Sequence, residues 1–129
     1  MIELKVLLID DDVWMTKVLN KIIHNIGYKN VFISNSGFDG IAMALKYKPD
    51  IIFLDLMMPE LDGMTTLKIL KTIPDTQDAS VIICSANNDI DNLSRAIKTG
   101  AVDFISKPFN AETIKEKINL IINKGMSNV

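Results

Sequence analysis

The chain has 129 residues, 48% hydrophobic and 23% charged, with a formal net charge of −2. That balance suits one domain with a sizeable core and excludes a disordered chain, and so small a charge recruits neither nucleic acid nor an anionic membrane. No apolar run approaches the roughly 20 residues of a bilayer span, neither terminus reads as a signal peptide, and a single cysteine forms no internal disulfide, so a cytoplasmic location is expected.

The first apolar run, residues 6–9, ends in three consecutive carboxylates, Asp10, Asp11 and Asp12. Two like charges about 4 Å apart repel by roughly 4 kcal/mol at an effective dielectric of about 20. Such a cluster requires water, protonation or a bound cation. Met15, Val18, Leu19, Ile22 and Ile26 then recur at helical spacing. A second strand is expected at 31–33, followed by a helix whose apolar positions are Phe38, Ile41, Ala42 and Leu45, with Ser36 and Asp39 resembling a capping box. The third strand, 51–54, leads into Asp55, and Asp62 is a plausible N-cap for a helix over 64–73 that Pro74 stops. A fourth strand at 81–84 precedes Ser85 and Ala86. Leu93, Ala96 and Ile97 mark a shorter helix that Gly100 could close. The fifth strand, 102–105, runs to Lys107, Pro108 and Phe109, and Ile114, Ile118, Ile121 and Ile122 mark the last helix.

Strict strand–helix alternation implies right-handed crossovers and a five-stranded parallel sheet with helices on both faces. The strands at 6–9, 51–54 and 81–84 are apolar throughout and should be central; those at 31–33 and 102–105 suit edges. In an open α/β sheet, ligands bind at the carboxyl ends of the strands. There the sequence places Asp10, Asp11, Asp55, Ser85 and Lys107 together. Taken singly, each is an ordinary turn, cap or solvated residue. Their joint placement at one rim is the informative feature.

The set Asp10-Asp11, Asp55 with Met58-Pro59 and Asp62-Gly63, Ser85-Ala86, and Lys107-Pro108-Phe109 resembles the receiver domain of two-component response regulators. The likeness spans nearly the whole chain, so residues 1–129 are expected to form a single receiver domain without an output domain. It implies a flavodoxin-like strand order 2-1-3-4-5. It further implies that Asp55 accepts a phosphoryl group, and that Mg²⁺, with Mn²⁺ as a substitute, is held by Asp10, Asp11, Asp55 and the backbone carbonyl of Met57. Lys107 and Ser85 would bind phosphoryl oxygens, and Phe104 would be the aromatic switch residue that follows Ser85. The Lys107–Pro108 bond is cis in the family. Met57 and Asn87 occupy the two positions that tune hydrolysis of the acyl phosphate; a thioether orients water poorly, so slow self-dephosphorylation is expected. The implied partners are a sensor histidine kinase or histidine phosphotransfer protein as donor, and a downstream target or a second copy on residues 89–124.

Two other classes stand beside this one. A Mg²⁺-dependent phosphatase of the haloacid dehalogenase type also runs a strand into aspartates, but Trp14 stands where its motif wants Thr or Val. A receiver-like module that only binds partners would not need Asp55, Ser85 and Lys107. Outside the motif, His24 reads as a solvated surface residue and Cys84 as a small core residue.

Overall fold

The computed structural model of the chain describes residues 3–86 and 90–127. Strands and helices alternate in the order β1 (Lys5–Ile9), α1 (Val13–Ile26), β2 (Asn30–Ser34), α2 (Gly37–Tyr47), β3 (Ile51–Asp55), α3 (Gly63–Thr72), β4 (Ser80–Ser85), α4 (Ile90–Thr99), β5 (Asp103–Ser106) and α5 (Ala111–Ser127). All pairings are parallel, in the order β2-β1-β3-β4-β5. This is the flavodoxin-like order expected from the sequence. No helix among the described residues is long and apolar enough to cross a membrane.

Successive side chains of a strand point to opposite faces, so the apolar runs of β1, β3 and β4 feed two cores. On one face Leu7, Ile9, Ile52, Leu54 and Ile83 pack with Ala44, Leu67, Leu70 and Ala96. On the other, Val6, Leu8, Phe53, Ile82 and Cys84 pack with Leu19, Ile23, Ile114 and Ile118. Each fully buried aliphatic or aromatic side chain contributes about 1.5–3 kcal/mol. These cores hold the three central strands rigidly, and their carboxyl ends inherit that rigidity.

Two caps form where the sequence places them: Ser36 accepts from Asp39 N, although Ser36 N donates to Ser34 Oγ rather than back to Asp39, and Asp62 accepts from Thr65 N. Asp12 opens α1 in the same way, accepting from Trp14 N and Met15 N. Gly100 ends α4 at φ 127°, a conformation that side chains disfavour.

Two sequence expectations shift. β5 begins at Asp103, and Val102 lies before it, half exposed. The larger change is in α2, where the apolar positions Phe38, Ala42 and Leu45 face outward and Phe38 is 61% exposed. The buried face is Gly37, Gly40 and Ala44. A Cβ on Gly40 would lie 2.6 Å from the Ile9 side chain, and one on Gly37 would lie 2.9 Å from the Leu61 carbonyl. The helix therefore sits too close to β1 and α3 for large side chains between them. Small residues win the contact and the bulky ones are turned to solvent, with Ile41 at the margin of the core.

Gly63 makes a comparable approach at the start of α3. A Cβ there would clash with the Asp55 carbonyl and the Leu56 backbone, neither of which can swing aside, while Gly63 N donates to Leu56 O. Gly63→Ala should therefore destabilise the fold by about 1–3 kcal/mol through overpacking. Urea unfolding checks this as a lowered midpoint with unchanged slope.

Candidate functional site

Asp10 follows β1 and Asp55 ends β3, the two strands on either side of the point where the chain order reverses. Both carboxylates are almost fully buried, whereas Asp11 is exposed. Asp10, Asp11 and Asp55 each offer an oxygen within 4.8 Å of the others. Hydrogen bonds fix the Asp10 backbone, with Asp10 N donating to Ser34 O and Asn35 Nδ2 donating to Asp10 O at 3.0 Å. Asp12 N donates to Asp10 Oδ1 at 3.0 Å, while the Asp12 carboxylate turns away to cap α1.

Lys107 enters from the loop after β5. Its Nζ lies 2.7 Å from Asp10 Oδ2 and 3.4 Å from Asp55 Oδ1. Lys107 N donates to Ser85 O at 2.8 Å, tying this loop to the end of β4, and the Lys107–Pro108 bond is cis, as the family resemblance implies. Burial works against the ammonium. The hydrogen bond to Asp10 and the charges of Asp55 and Asp10 outweigh it, leaving the Lys107 pKa above the ordinary lysine value.

Asp55 is perturbed in the opposite sense. Burial, reinforced by the Asp10 charge, raises its pKa from 3.8 to about 6, against the opposing pull of Lys107 and a hydrogen bond from the Met57 backbone N–H. The site thus holds more negative charge than one lysine balances. Its all-oxygen donors, two fixed by buried strands and one open to solvent, suit a hard cation such as Mg²⁺.

The remaining expected residues divide. Ser85 ends β4 at the same rim, half-buried. Met57 lies in the loop after β3 with its side chain 79% exposed. Phe104 is on β5 in register with Ile83, and is 43% exposed. Asn87 lies outside the described residues, as does Asp89 at the start of the expected 89–124 surface. Asn35 is a supporting residue the motif does not include; its signal is a polar side chain just after β2, at the same rim. His24 is half-buried rather than solvated, with Nδ1 3.0 Å from Asn20 O. Cys84 is buried in the core, and burial pushes its thiol pKa up.

Comparison with known proteins agrees with this geometry. Residues 6–119 match the family model described as the response regulator receiver domain. The chain is 36% identical to the chemotaxis protein CheY of Bacillus subtilis (strain 168), over 92% of this chain and 98% of that one. It is also 36% identical to the Thermotoga maritima protein of the same name, over 91% and 96%. A response regulator receiver domain protein from Clostridium thermocellum superposes with a TM-score of 0.88 at 29% identity, covering 98% of this chain and 99% of that one.

The raised Asp55 pKa has a consequence for stability. The folded chain binds this proton more tightly than the unfolded one, whose value is near 3.8. The resulting stabilisation is complete below the unfolded value and is lost as pH rises through about 6. Without divalent cations, the native protein should lose Tm from about pH 4 to about pH 7, the span between the unfolded and folded values, and level off above it. Asp55→Asn should flatten that slope and melt several degrees higher at about pH 7.5, since 1 kcal/mol is worth roughly 4 °C in a domain of this size. Excess Mg²⁺ should raise the native Tm by mass action and raise that of Asp11→Ala much less. Scanning calorimetry in chelator and in Mg²⁺ checks both outcomes.

Proposed function

Because this chain belongs to the response regulator receiver domain family, whose members are phosphorylation switches of two-component systems, we propose that Asp55 is its phosphoacceptor. The observation that carries this reading is the placement of Lys107 Nζ between Asp10 and Asp55 at the carboxyl rim of the sheet. Receiver domains take their phosphoryl group from histidine kinases or phosphotransfer proteins. In that reaction an Asp55 carboxylate oxygen attacks phosphorus as the bond to the donor nitrogen breaks, leaving an acyl phosphate.

The chain's own groups suit each part of this step. Asp55 is held at the end of a fully buried strand, so its oxygen is presented with little conformational freedom. Lys107 can move its charge from Asp55 to a phosphoryl oxygen without leaving Asp10. Ser85 donates its hydroxyl to another oxygen from the neighbouring strand end. Asp10, Asp11, Asp55 and the Met57 carbonyl are the groups that would hold Mg²⁺, with Mn²⁺ as a substitute. When bound, the ion neutralises phosphoryl oxygens during in-line transfer.

Phosphorylation draws Ser85 inward, and Phe104, now 43% exposed, follows into the space beside it. That shift between two populations changes the surface of α4, β5 and α5 within residues 89–124, where a target or a second copy would bind. The chain acts in signalling, and the only chemistry proposed for it is turnover of its own phosphoryl group. Met57 and Asn87 would set the lifetime of that group. The family match over residues 6–119 does not favour a phosphatase of the haloacid dehalogenase type, and the retained Asp55, Ser85 and Lys107 argue against a purely binding module.

Incubation with acetyl phosphate and Mg²⁺ should label the native chain once, at Asp55. Asp55→Asn, nearly isosteric but not nucleophilic, should lose essentially all of that label. Intact-protein mass spectrometry reads both, and undiminished single labelling of the variant would overturn the assignment.

A further inference from the structure

We propose that Met57 is a site of oxidation by hydrogen peroxide, and that its sulfoxide shortens the life of the phosphorylated state. The second half of this proposal rests on Asp55 being the acceptor.

Met57 is distinguished by both exposure and position. Its side chain is 79% exposed, whereas Met58 is 8% exposed and Met15, Met43 and Met64 are half-buried. Of the five methionines from Met15 to Met64 it is the one open to solvent. The only cysteine, Cys84, is 2% exposed with its thiol pKa pushed up by burial, so it offers an oxidant neither access nor thiolate. Met57 also stands two residues after Asp55, and its backbone N–H donates to the Asp55 carboxylate. The side chain lines an open cleft with Leu56, Met58, Asp62, Met64, Asn92 and Arg95. Peroxide and water can both reach it there.

The chemistry is a two-electron transfer. The thioether sulfur attacks one peroxide oxygen, an S–O bond forms as the O–O bond breaks, and the departing hydroxide takes the proton from the new S–OH group, leaving the sulfoxide and water. Sulfur is oxidised and peroxide reduced, with nothing further required. The product changes the character of the site's border. A thioether is at best a weak acceptor, whereas a sulfoxide oxygen is polar and accepts hydrogen bonds strongly. Hydrolysis of an acyl phosphate needs a water in line with phosphorus. The unbranched methionine side chain has the reach to place that new acceptor beside such a water.

The test combines peptide mapping with decay of the label. Brief treatment of the full chain with dilute hydrogen peroxide should add one oxygen to Met57 roughly tenfold faster than to Met15, Met43 or Met64, as exposure dictates. After phosphorylation with acetyl phosphate and Mg²⁺, the oxidised protein should lose its label several-fold faster than the untreated one. Met57→Gln, with a comparable acceptor, should also shorten the lifetime, and Met57→Leu should make it insensitive to peroxide. Equal oxidation of the half-buried methionines, an unchanged lifetime after Met57 oxidation, or equal peroxide sensitivity in Met57→Leu would each overturn the proposal. Absence of label on Asp55 in untreated protein would instead overturn the acceptor reading, and with it the effect on lifetime. The order of methionine oxidation would still be read separately.

Discussion

The Lys107 ammonium, 2.7 Å from Asp10 and 3.4 Å from Asp55, makes this carboxylate cluster tolerable inside a folded protein. Two buried acids at the ends of adjacent strands repel each other, and burial penalises both. Removing the only ammonium in contact with them among the described residues would leave an uncompensated buried charge, a loss of several kcal/mol in comparable settings. The pairing also explains the local architecture. β1 and β3 are central because both their faces are apolar, so their ends stay in place. The loop after β5 is tied to Ser85, so its lysine is delivered to a fixed point. With Asp10, Asp11 and Asp55 ionised, three carboxylates face one ammonium and two negative charges remain. A divalent cation would balance them, and under the proposed reaction an incoming phosphoryl group would meet Lys107 and the cation rather than bare carboxylates.

Much of the fold was legible in the sequence, because burial on both faces leaves a plain mark. An uninterrupted apolar run such as residues 51–54 suits a central parallel strand, and alternation with helices restricts the handedness of the connections. What was not legible is a matter of distance. The periodicity of Phe38, Ile41, Ala42 and Leu45 describes an apolar stripe without saying which side of α2 meets the sheet. Only the separation between α2, Ile9 and Leu61 decides that, and at that separation Gly37, Gly40 and Ala44 are the residues that fit. A pattern of hydrophobicity underestimates small residues for this reason. Their contribution is close approach rather than apolar area.

The site was legible through placement. Asp10, Asp55, Ser85 and Lys107 are far apart along the chain, yet each follows or ends a strand, and parallel strands bring all such positions to one rim. Asn35 obeys the same rule but belongs to no motif, and its amide is seen to serve the site only once β2 is paired with β1. Electrostatic state is less accessible still. Nothing in the residue types distinguishes Asp55, with a pKa raised to about 6, from Asp62, whose pKa is lowered by hydrogen bonds from Thr65 at the mouth of a helix. Burial and neighbours separate them.

Asp12 carries a consequence of another kind. Of three adjacent aspartates it alone turns from the cluster, and both hydrogen bonds to its side chain come from the first turn of α1. Any short side chain with an oxygen at the same reach can do that, so Ser, Thr or Asn should replace it with little loss. Under the proposed function Asp10 and Asp11 would have no such freedom, because there negative charge, and not merely an acceptor, is what would hold a cation. Sequence drift should therefore fall unevenly across three identical letters: free within the capping alphabet at position 12, and closed at positions 10 and 11.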